Sequence, residues 1–99
     1  MISNEPGYYK DGAFGIRIEN IIECKRIKTA NSFGDREYLG FATISLAPLC
    51  RNLIQSDLLD GDEKGWVDAY HLQVLETIGA NIGEDKKVLE WLTKECLPL

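Results

Sequence analysis

Apolar and polar side chains alternate along residues 14–24. The even positions of this stretch are apolar except for Asn20, and the charged residues occupy odd positions: Arg17, Glu19 and Glu23. A period of two is typical of a strand with one buried face and one solvated face. The pattern therefore predicts one continuous strand over 14–24, packed on a core through its isoleucines.

A polar segment and a second apolar run follow this strand. Residues 28–37 contain Asn31-Ser32 and Gly34-Asp35, pairs that are common in turns, and we predict a loop there. Residues 39–46 are rich in Phe, Thr, Ile and Leu, which favours a second strand. Pro48 is predicted to close that strand, because proline has no N–H to donate to a central ladder.

The period changes in the second half of the chain. Asp60 precedes Glu63 by three residues, the spacing of a capping box at a helix start. Apolar residues then recur at helical spacing, up to a predicted end at Gly79: Trp66, Val67, Tyr70, Val74, Leu75 and Ile78. A second helix is predicted over about 84–95, with Val88, Leu89, Leu92 and Cys96 on one face.

Strands followed by helices predict an α+β fold rather than a parallel α/β sheet. The chain has 99 residues, and its predicted strands and two helices offer a thin core. A small sheet needs packing against one of its faces to be stable. We therefore expect the chain to be part of a larger structure.

Composition and charge exclude several classes of function. The net charge of −5 argues against nucleic acid as a partner, because neutralising phosphates requires clustered Lys and Arg. No apolar run approaches the roughly 20 residues that span a bilayer, so no membrane partner is expected. The three cysteines are widely spaced and are expected to be free thiols. With no leader at the N-terminus, they indicate a cytoplasmic protein.

Two glutamates have specific surroundings. Glu5 lies in SNEPGYY (residues 3–9) and Glu19 in GIRIEN (residues 15–20). A glutamate on a strand is most often a solvated surface residue. Carboxylates held on strands are also hard oxygen ligands for manganese or magnesium, and Glu19 would share one face of its strand with Arg17. The sole histidine, His71, falls within the first predicted helix, where we expect it to pack or cap rather than bind metal.

The continuous stretch SNEPGYYKDGAFGIRIEN resembles the C-terminal end of aminopeptidase P, the Xaa-Pro aminopeptidase branch of the pita-bread metallopeptidases. The likeness continues into the C-terminal extension of the long eukaryotic-type members through Trp66, the Tyr70-His71 pair and the Glu90-Trp91-Leu92 helix. It implies that residues 1–47 are the last strands of a pita-bread catalytic domain. Residues 48–99 are then the helical extension.

The resemblance also implies roles for single residues. In this family two aspartates, one histidine and two glutamates hold two divalent ions, usually manganese, joined by a bridging water. Glu5 matches the glutamate that binds one ion together with the histidine, and Glu19 matches the carboxylate that bridges both. Arg17 is expected to support these ligands by holding their orientation, and the alternative is an ordinary cross-strand ion pair. Pro6-Gly7 is expected to form a turn that fixes Glu5, and Tyr8 and Tyr9 either line the active site or pack.

The other ligands of that family precede this stretch, so the chain is expected to begin inside the catalytic domain and to be inactive alone. Three interpretations follow. The chain is a C-terminal fragment of a metal-dependent enzyme that removes the residue preceding proline from peptides with proline in the second position. Alternatively it is a non-catalytic interaction module that forms a homodimer through the C-terminal region. A third interpretation is a subunit that completes the active site of another chain.

Overall fold

A computed structural model describes residues 1–99, and they form an α+β arrangement of antiparallel strands followed by two helices, as predicted. The chain divides into two compact units, Met1–Ser45 and Leu46–Leu99. The first unit contains all the strands: β1 (Ile2–Asn4), β2 (Gly7–Lys10), β3 (Phe14–Arg17), β4 (Asn20–Ile27) and β5 (Tyr38–Thr43). The second contains two 3₁₀ turns, Arg51–Leu53 and Ser56–Leu58, and the helices α1 (Gly61–Gly79) and α2 (Lys86–Glu95).

The strands of the first unit form two antiparallel sheets. One sheet has the order β1-β4-β5, and the other is the hairpin of β2 and β3. The hairpin turns at Gly12, whose φ of 68° lies in the left-handed region that favours glycine, and the Ala13 amide donates to the Lys10 carbonyl at 3.0 Å. The loop predicted over 28–37 is confirmed, since no strand or helix occurs between Ile27 and Tyr38.

The predicted strand over 14–24 has the right alternation but is not continuous. It is interrupted at Ile18 and Glu19, with β3 ending at Arg17 and β4 beginning at Asn20 in the other sheet. Ile18 lies beside Pro6 and donates its amide to the Pro6 carbonyl at 3.0 Å. Proline has no N–H to return the second bond of that pair, and the ladder breaks there.

The second predicted strand, 39–46, is shorter than expected: it corresponds to β5, which ends at Thr43. Beyond Thr43, the amides of Ile44 and Ser45 both donate to the Ile21 carbonyl, at 2.8 and 3.3 Å. The Ile21 amide in turn donates to the Ser45 hydroxyl at 2.7 Å. A side-chain oxygen thus takes the place of a main-chain acceptor, and the regular ladder ends before Pro48.

The expectation that the isoleucines of this region pack on a core is wrong within this chain. On the predicted apolar face, Ile16 and Ile18 are 40 and 45% exposed and Ile22 is half-buried, and no residue of the first unit is buried. A hairpin and a small sheet have little apolar surface of their own to place over these side chains. The apolar face of the strands is therefore open.

The second unit is built on its two helices, and both predicted helices are confirmed. Asp60 and Glu63 form a complete capping box at the start of α1, and Gly79 is the last residue of that helix. The Asp85 carboxylate caps α2 by accepting from the Val88 amide at 3.2 Å. The core lies between them and buries Val67, Tyr70, Val74, Leu92 and Cys96. Trp66 and Trp91 are more than half exposed.

The ends of the second unit are tied together by polar contacts. The Arg51 guanidinium donates to the carbonyls of Leu97 and Pro98, and the Leu99 amide donates to Asp68 Oδ1 at 2.9 Å. Neither helix is long and apolar enough to cross a membrane. Cys24 and Cys50 are exposed free thiols, and Cys96 is a buried one.

Candidate metal centre

The two candidate glutamates lie opposite each other across an antiparallel pair of segments. Asn4 pairs with Asn20 at the end of one sheet, and Gly7 pairs with Arg17 at the end of the other. Both pairings have the same register, and the Ile18–Pro6 hydrogen bond keeps the two segments adjacent across the gap. The shared register sets Glu5 opposite Glu19. Directly opposed residues project from the same face with Cβ atoms roughly 4.5–5.5 Å apart.

Neither glutamate lies within a strand, contrary to the sequence-based expectation. Glu5 is in the two-residue connection between β1 and β2, and Glu19 is in the corresponding connection between β3 and β4. The cause is the ladder break at Pro6, which releases the main chain on both sides. The short flanking strands still hold each connection at both ends.

The Glu5 carboxylate is held on both of its oxygens. Oε2 accepts a hydrogen bond from Arg17 Nη1 at 2.6 Å, and Oε1 accepts one from the Ser3 hydroxyl. A charge-assisted bond of this length is among the stronger polar contacts in proteins. Ser3 and Arg17 thus fix the orientation of the Glu5 carboxylate. The Glu19 side chain is exposed and makes no hydrogen bond or ion pair within the chain.

Tyr9 extends this polar face along the hairpin. Its hydroxyl accepts from Arg17 Nε at 2.7 Å, and the guanidinium carbon lies 5.8 Å from the centre of its ring. The ring covers two glycines: a Cβ built on Gly15 would be 2.6 Å from Tyr9 Cδ1, and one on Gly7 would be 2.7 Å from the hydroxyl. Glycine at both positions therefore leaves the space that Tyr9 occupies beside Arg17.

The electrostatics of the face centre on Arg17. The hydrogen bond to Tyr9 raises the pKa of Arg17 most, and the carboxylates of Glu5 and Glu19 raise it further. The guanidinium is therefore a permanent cation near both acidic side chains. It offsets the repulsion that two opposed carboxylates would otherwise exert on each other.

The donor set fits one side of a divalent cation site. Glutamate oxygens are ligands that manganese and magnesium accept, and Glu5 and Glu19 project from one face with one oriented and the other unengaged. No group of three or more His, Cys, Asp or Glu side chains in the chain is arranged to hold a metal ion. Glu5 and Glu19 are thus two candidate ligands, fewer than a complete coordination sphere needs.

The remaining sequence-predicted residues lie elsewhere or have a different contact. His71 is in the second unit, where its Nε2 accepts from the Leu49 amide at 3.0 Å. Ser3 and the two glycines beneath Tyr9 had not been singled out for these contacts. The sequence signal for Ser3 and Gly7 is the alternation of Ser3, Glu5, Gly7 and Tyr9, which places these residues on one face once a strand is assumed.

Comparison with known proteins identifies the family of the chain. The family described as the C-terminal region of peptidase_M24 matches residues 37–99. Probable Xaa-Pro aminopeptidase P of Laccaria bicolor is 47% identical over 98 residues, which cover 99% of this chain and 15% of the relative. That of Tuber melanosporum is 48% identical over 99 residues, covering 100% of this chain and 16% of the relative.

A solved structure shows the same similarity in three dimensions. The X-prolyl aminopeptidase from Caenorhabditis elegans, a cytosolic enzyme with a di-nuclear active site, superimposes with a TM-score of 0.84 at 29% identity, covering 98% of this chain and 16% of the nematode chain. The chain thus spans about one sixth of the length of the relatives it matches. It belongs to the peptidase M24 family and corresponds to the C-terminal region of its Xaa-Pro aminopeptidase P members.

Proposed function

We propose that this chain is the C-terminal portion of a metal-dependent Xaa-Pro aminopeptidase and supplies Glu5 and Glu19 as ligands of its dinuclear metal centre. The observation that carries the proposal is the placement of Glu5 opposite Glu19. Arg17 is hydrogen-bonded to Glu5, and the charges of both carboxylates raise the pKa of Arg17. The di-nuclear active site of the nematode enzyme supports it. The metal is manganese, and the substrate is a peptide with proline in its second position.

The residues of this chain hold and orient rather than react. Glu5 and Glu19 would present their oxygens to the cations, and Arg17 would keep the Glu5 carboxylate from rotating by bonding its Oε2. Tyr9 would keep Arg17 in place from the other side, and Ser3 would fix the remaining oxygen of Glu5. When bound, a metal pair supplies the Lewis acidity that activates water for attack on the Xaa-Pro amide and stabilises the developing oxyanion.

Two carboxylates leave most of a divalent coordination sphere to water, so the isolated chain is expected to have no peptidase activity. The remaining ligands belong to polypeptide outside these 99 residues. The cytosolic location of the nematode enzyme supports a cytoplasmic location for the parent of this chain.

A chimera tests the ligand assignment. This chain replaces the matching 15% of the Laccaria bicolor relative, and the product is assayed for bound manganese and for cleavage of an Xaa-Pro peptide. Glu19→Gln keeps the size of the side chain but removes its charge. We expect this change to reduce metal content and to lower activity by more than the ~10–100-fold that loss of an outer-shell partner costs.

The matched control is Glu23→Gln, which removes an exposed carboxylate from β4 opposite Ala42. It should leave both metal content and activity unchanged. An active chimera that keeps its full manganese content with Glu19→Gln would contradict the ligand assignment.

A second function is favoured by one observation, the exposed aromatic and aliphatic side chains of the helical unit. Trp66, Trp91 and Leu58 are 59, 54 and 81% exposed. They suit a homodimer contact through residues 48–99. Sedimentation of the chain separates the two roles, because a monomer at high concentration excludes a dimerisation module without affecting the ligand proposal.

A further inference from the structure

His71 is the only histidine of the chain and is fully buried in the middle of α1. Its Nε2 accepts a hydrogen bond from the Leu49 main-chain amide at 3.0 Å. An imidazole nitrogen can accept only through a free lone pair, so the proton of the neutral ring must be on Nδ1. Nδ1 is buried and has no hydrogen-bond partner. The ring thus makes one polar contact, and that contact requires it to be uncharged.

The contact fastens one specific segment to the helix. Residues 46–50 begin the second unit and precede the first 3₁₀ turn. Leu49 donates to His71, and the neighbouring Tyr70 hydroxyl donates to the Ala47 carbonyl at 2.7 Å. Leu46 and Leu49 also pack against the core between the helices. Of the two polar ties, only the one through His71 involves a group that titrates near neutral pH.

We propose that His71 is a pH-sensitive latch: the neutral ring holds residues 46–50 against α1, and a proton on Nε2 releases them. Protonation would turn the acceptor into a donor facing the Leu49 N–H, so the hydrogen bond would be replaced by repulsion between two donors. It would also place a positive charge in a site with no acceptor for either ring nitrogen.

The charged groups around the ring come from each element packed against it. Burial lowers the pKa of His71 most, and the Arg51 guanidinium at the end of the latched segment lowers it further. Asp68 of α1 and Glu95 of α2 act in the opposite direction. Asp68 and Arg51 are both engaged with the C-terminal residues 97–99. The Cys96 thiol at the end of α2 stays neutral, since burial raises its pKa.

The sign of the pH effect follows from these contacts. An unfolded histidine titrates near pH 6.5, whereas folded His71 titrates below its ordinary value. As the pH falls below 6.5, His71 takes up a proton more readily when residues 46–50 are released than when they are latched. The equilibrium between the latched and released states therefore moves towards release. For one proton the opening constant rises by up to about tenfold per pH unit until the folded ring titrates. Above about pH 6.5 this group contributes no pH dependence.

NMR of the 99-residue chain tests the latch directly, because the imidazole signals can come only from His71. We expect nitrogen shifts of the Nδ1–H tautomer and a midpoint below 6.5. Hydrogen exchange of the Leu49 amide, corrected for its intrinsic pH dependence, should lose protection by up to about tenfold per pH unit below 6.5. The Cys96 amide, which donates to Leu92 within the end of α2, is the internal reference.

Two variants keep the latch falsifiable. His71→Gln retains a neutral acceptor, and the acid loss of Leu49 protection should disappear. Tyr70→Phe removes the bond to Ala47 but keeps the imidazole, so that variant should retain the acid loss even if His71→Gln does not fold. A midpoint at or above 6.5, an Nε2–H tautomer, or Leu49 protection that does not change relative to Cys96 would each overturn the proposal.

Discussion

At the residue scale, the candidate metal face depends on what surrounds each glutamate. Glu5 is anchored by Arg17 and Ser3, whereas Glu19 makes no hydrogen bond or ion pair within the chain. Arg17 is in turn bonded to Tyr9. The Glu5 and Arg17 side chains are 34 and 46% exposed, and an ion pair with this much exposure contributes little to stability on its own. These contacts therefore orient the Glu5 carboxylate more than they add to folding energy.

The glycines beneath Tyr9 provide the residue-scale prediction. Gly15→Ala would place a Cβ 2.6 Å from Tyr9 Cδ1, and the ring would have to leave its position beside Arg17. We expect the Arg17–Tyr9 hydrogen bond to be lost, with little change in the free energy of unfolding because both side chains are exposed. NMR shifts of the Tyr9 ring and of Arg17 Nε measure the displacement.

Gly65→Ala in α1 is the matched control, because a Cβ there meets nothing within 4 Å. Alanine is also the better helix former, so this variant should be stabilised by about 0.5–1 kcal/mol without moving Tyr9. Unchanged Tyr9 and Arg17 signals in Gly15→Ala would show that the ring does not need the glycine.

At the element scale, the observed helices agree closely with those predicted from local sequence, whereas the observed strands agree only in part. Capping residues and a period of 3.6 were enough to place α1 and α2, because helix hydrogen bonds are made within the segment. Strand ends depend on the partner strand. Pro6 interrupts the ladder beside Ile18, and the Ser45 hydroxyl ends the ladder at Ile21, although Pro6 is 12 residues from Ile18 and Ser45 is 24 residues from Ile21 in the sequence.

The capping box gives the element-scale prediction. The Asp60 carboxylate accepts from the Glu63 amide at 2.9 Å, and the Glu63 side chain accepts from the Asp60 amide at 3.0 Å. Asp60→Ala removes the first bond and should destabilise the second unit by about 1 kcal/mol. Urea unfolding followed by circular dichroism at helix wavelengths measures the change.

Asp62→Ala is the control for this variant. Asp62 is in the first turn of α1 but is not part of the capping box, so its loss should cost only the few tenths of a kcal/mol of a charge at a helix N-terminus. Equal destabilisation by the two variants would mean that charge, rather than capping, carries the effect.

At the scale of the whole molecule, the two units differ in how far each completes its own core. The helical unit buries apolar side chains from both helices, whereas the strand unit exposes isoleucines and aromatics that a larger domain would cover. The candidate ligands are on the unit without a core of its own. The two candidate ligands and the exposed apolar side chains thus lie on the same unit.

Manganese titration of the isolated chain is the prediction at this scale. Two carboxylates release few waters from a divalent ion, so calorimetry should detect no tight stoichiometric binding, and no Xaa-Pro peptide should be cleaved. A variant combining Glu5→Gln and Glu19→Gln should give the same heats as the natural chain. Tight one-to-one binding that this variant abolishes would contradict the view that the other ligands are needed.

The sequence by itself determined the α+β class, both helices with the capping box of α1, and the alternation of the first strand region, because each depends on residues close together in the chain. It also singled out Glu5, Glu19 and Arg17 as candidates through two local motifs. Only the tertiary structure decided that the two glutamates lie opposite each other, that Arg17 joins Glu5 to Tyr9, and that His71 accepts from Leu49. Each of these depends on register or packing between distant segments, and no local spacing encodes which partner such a segment meets.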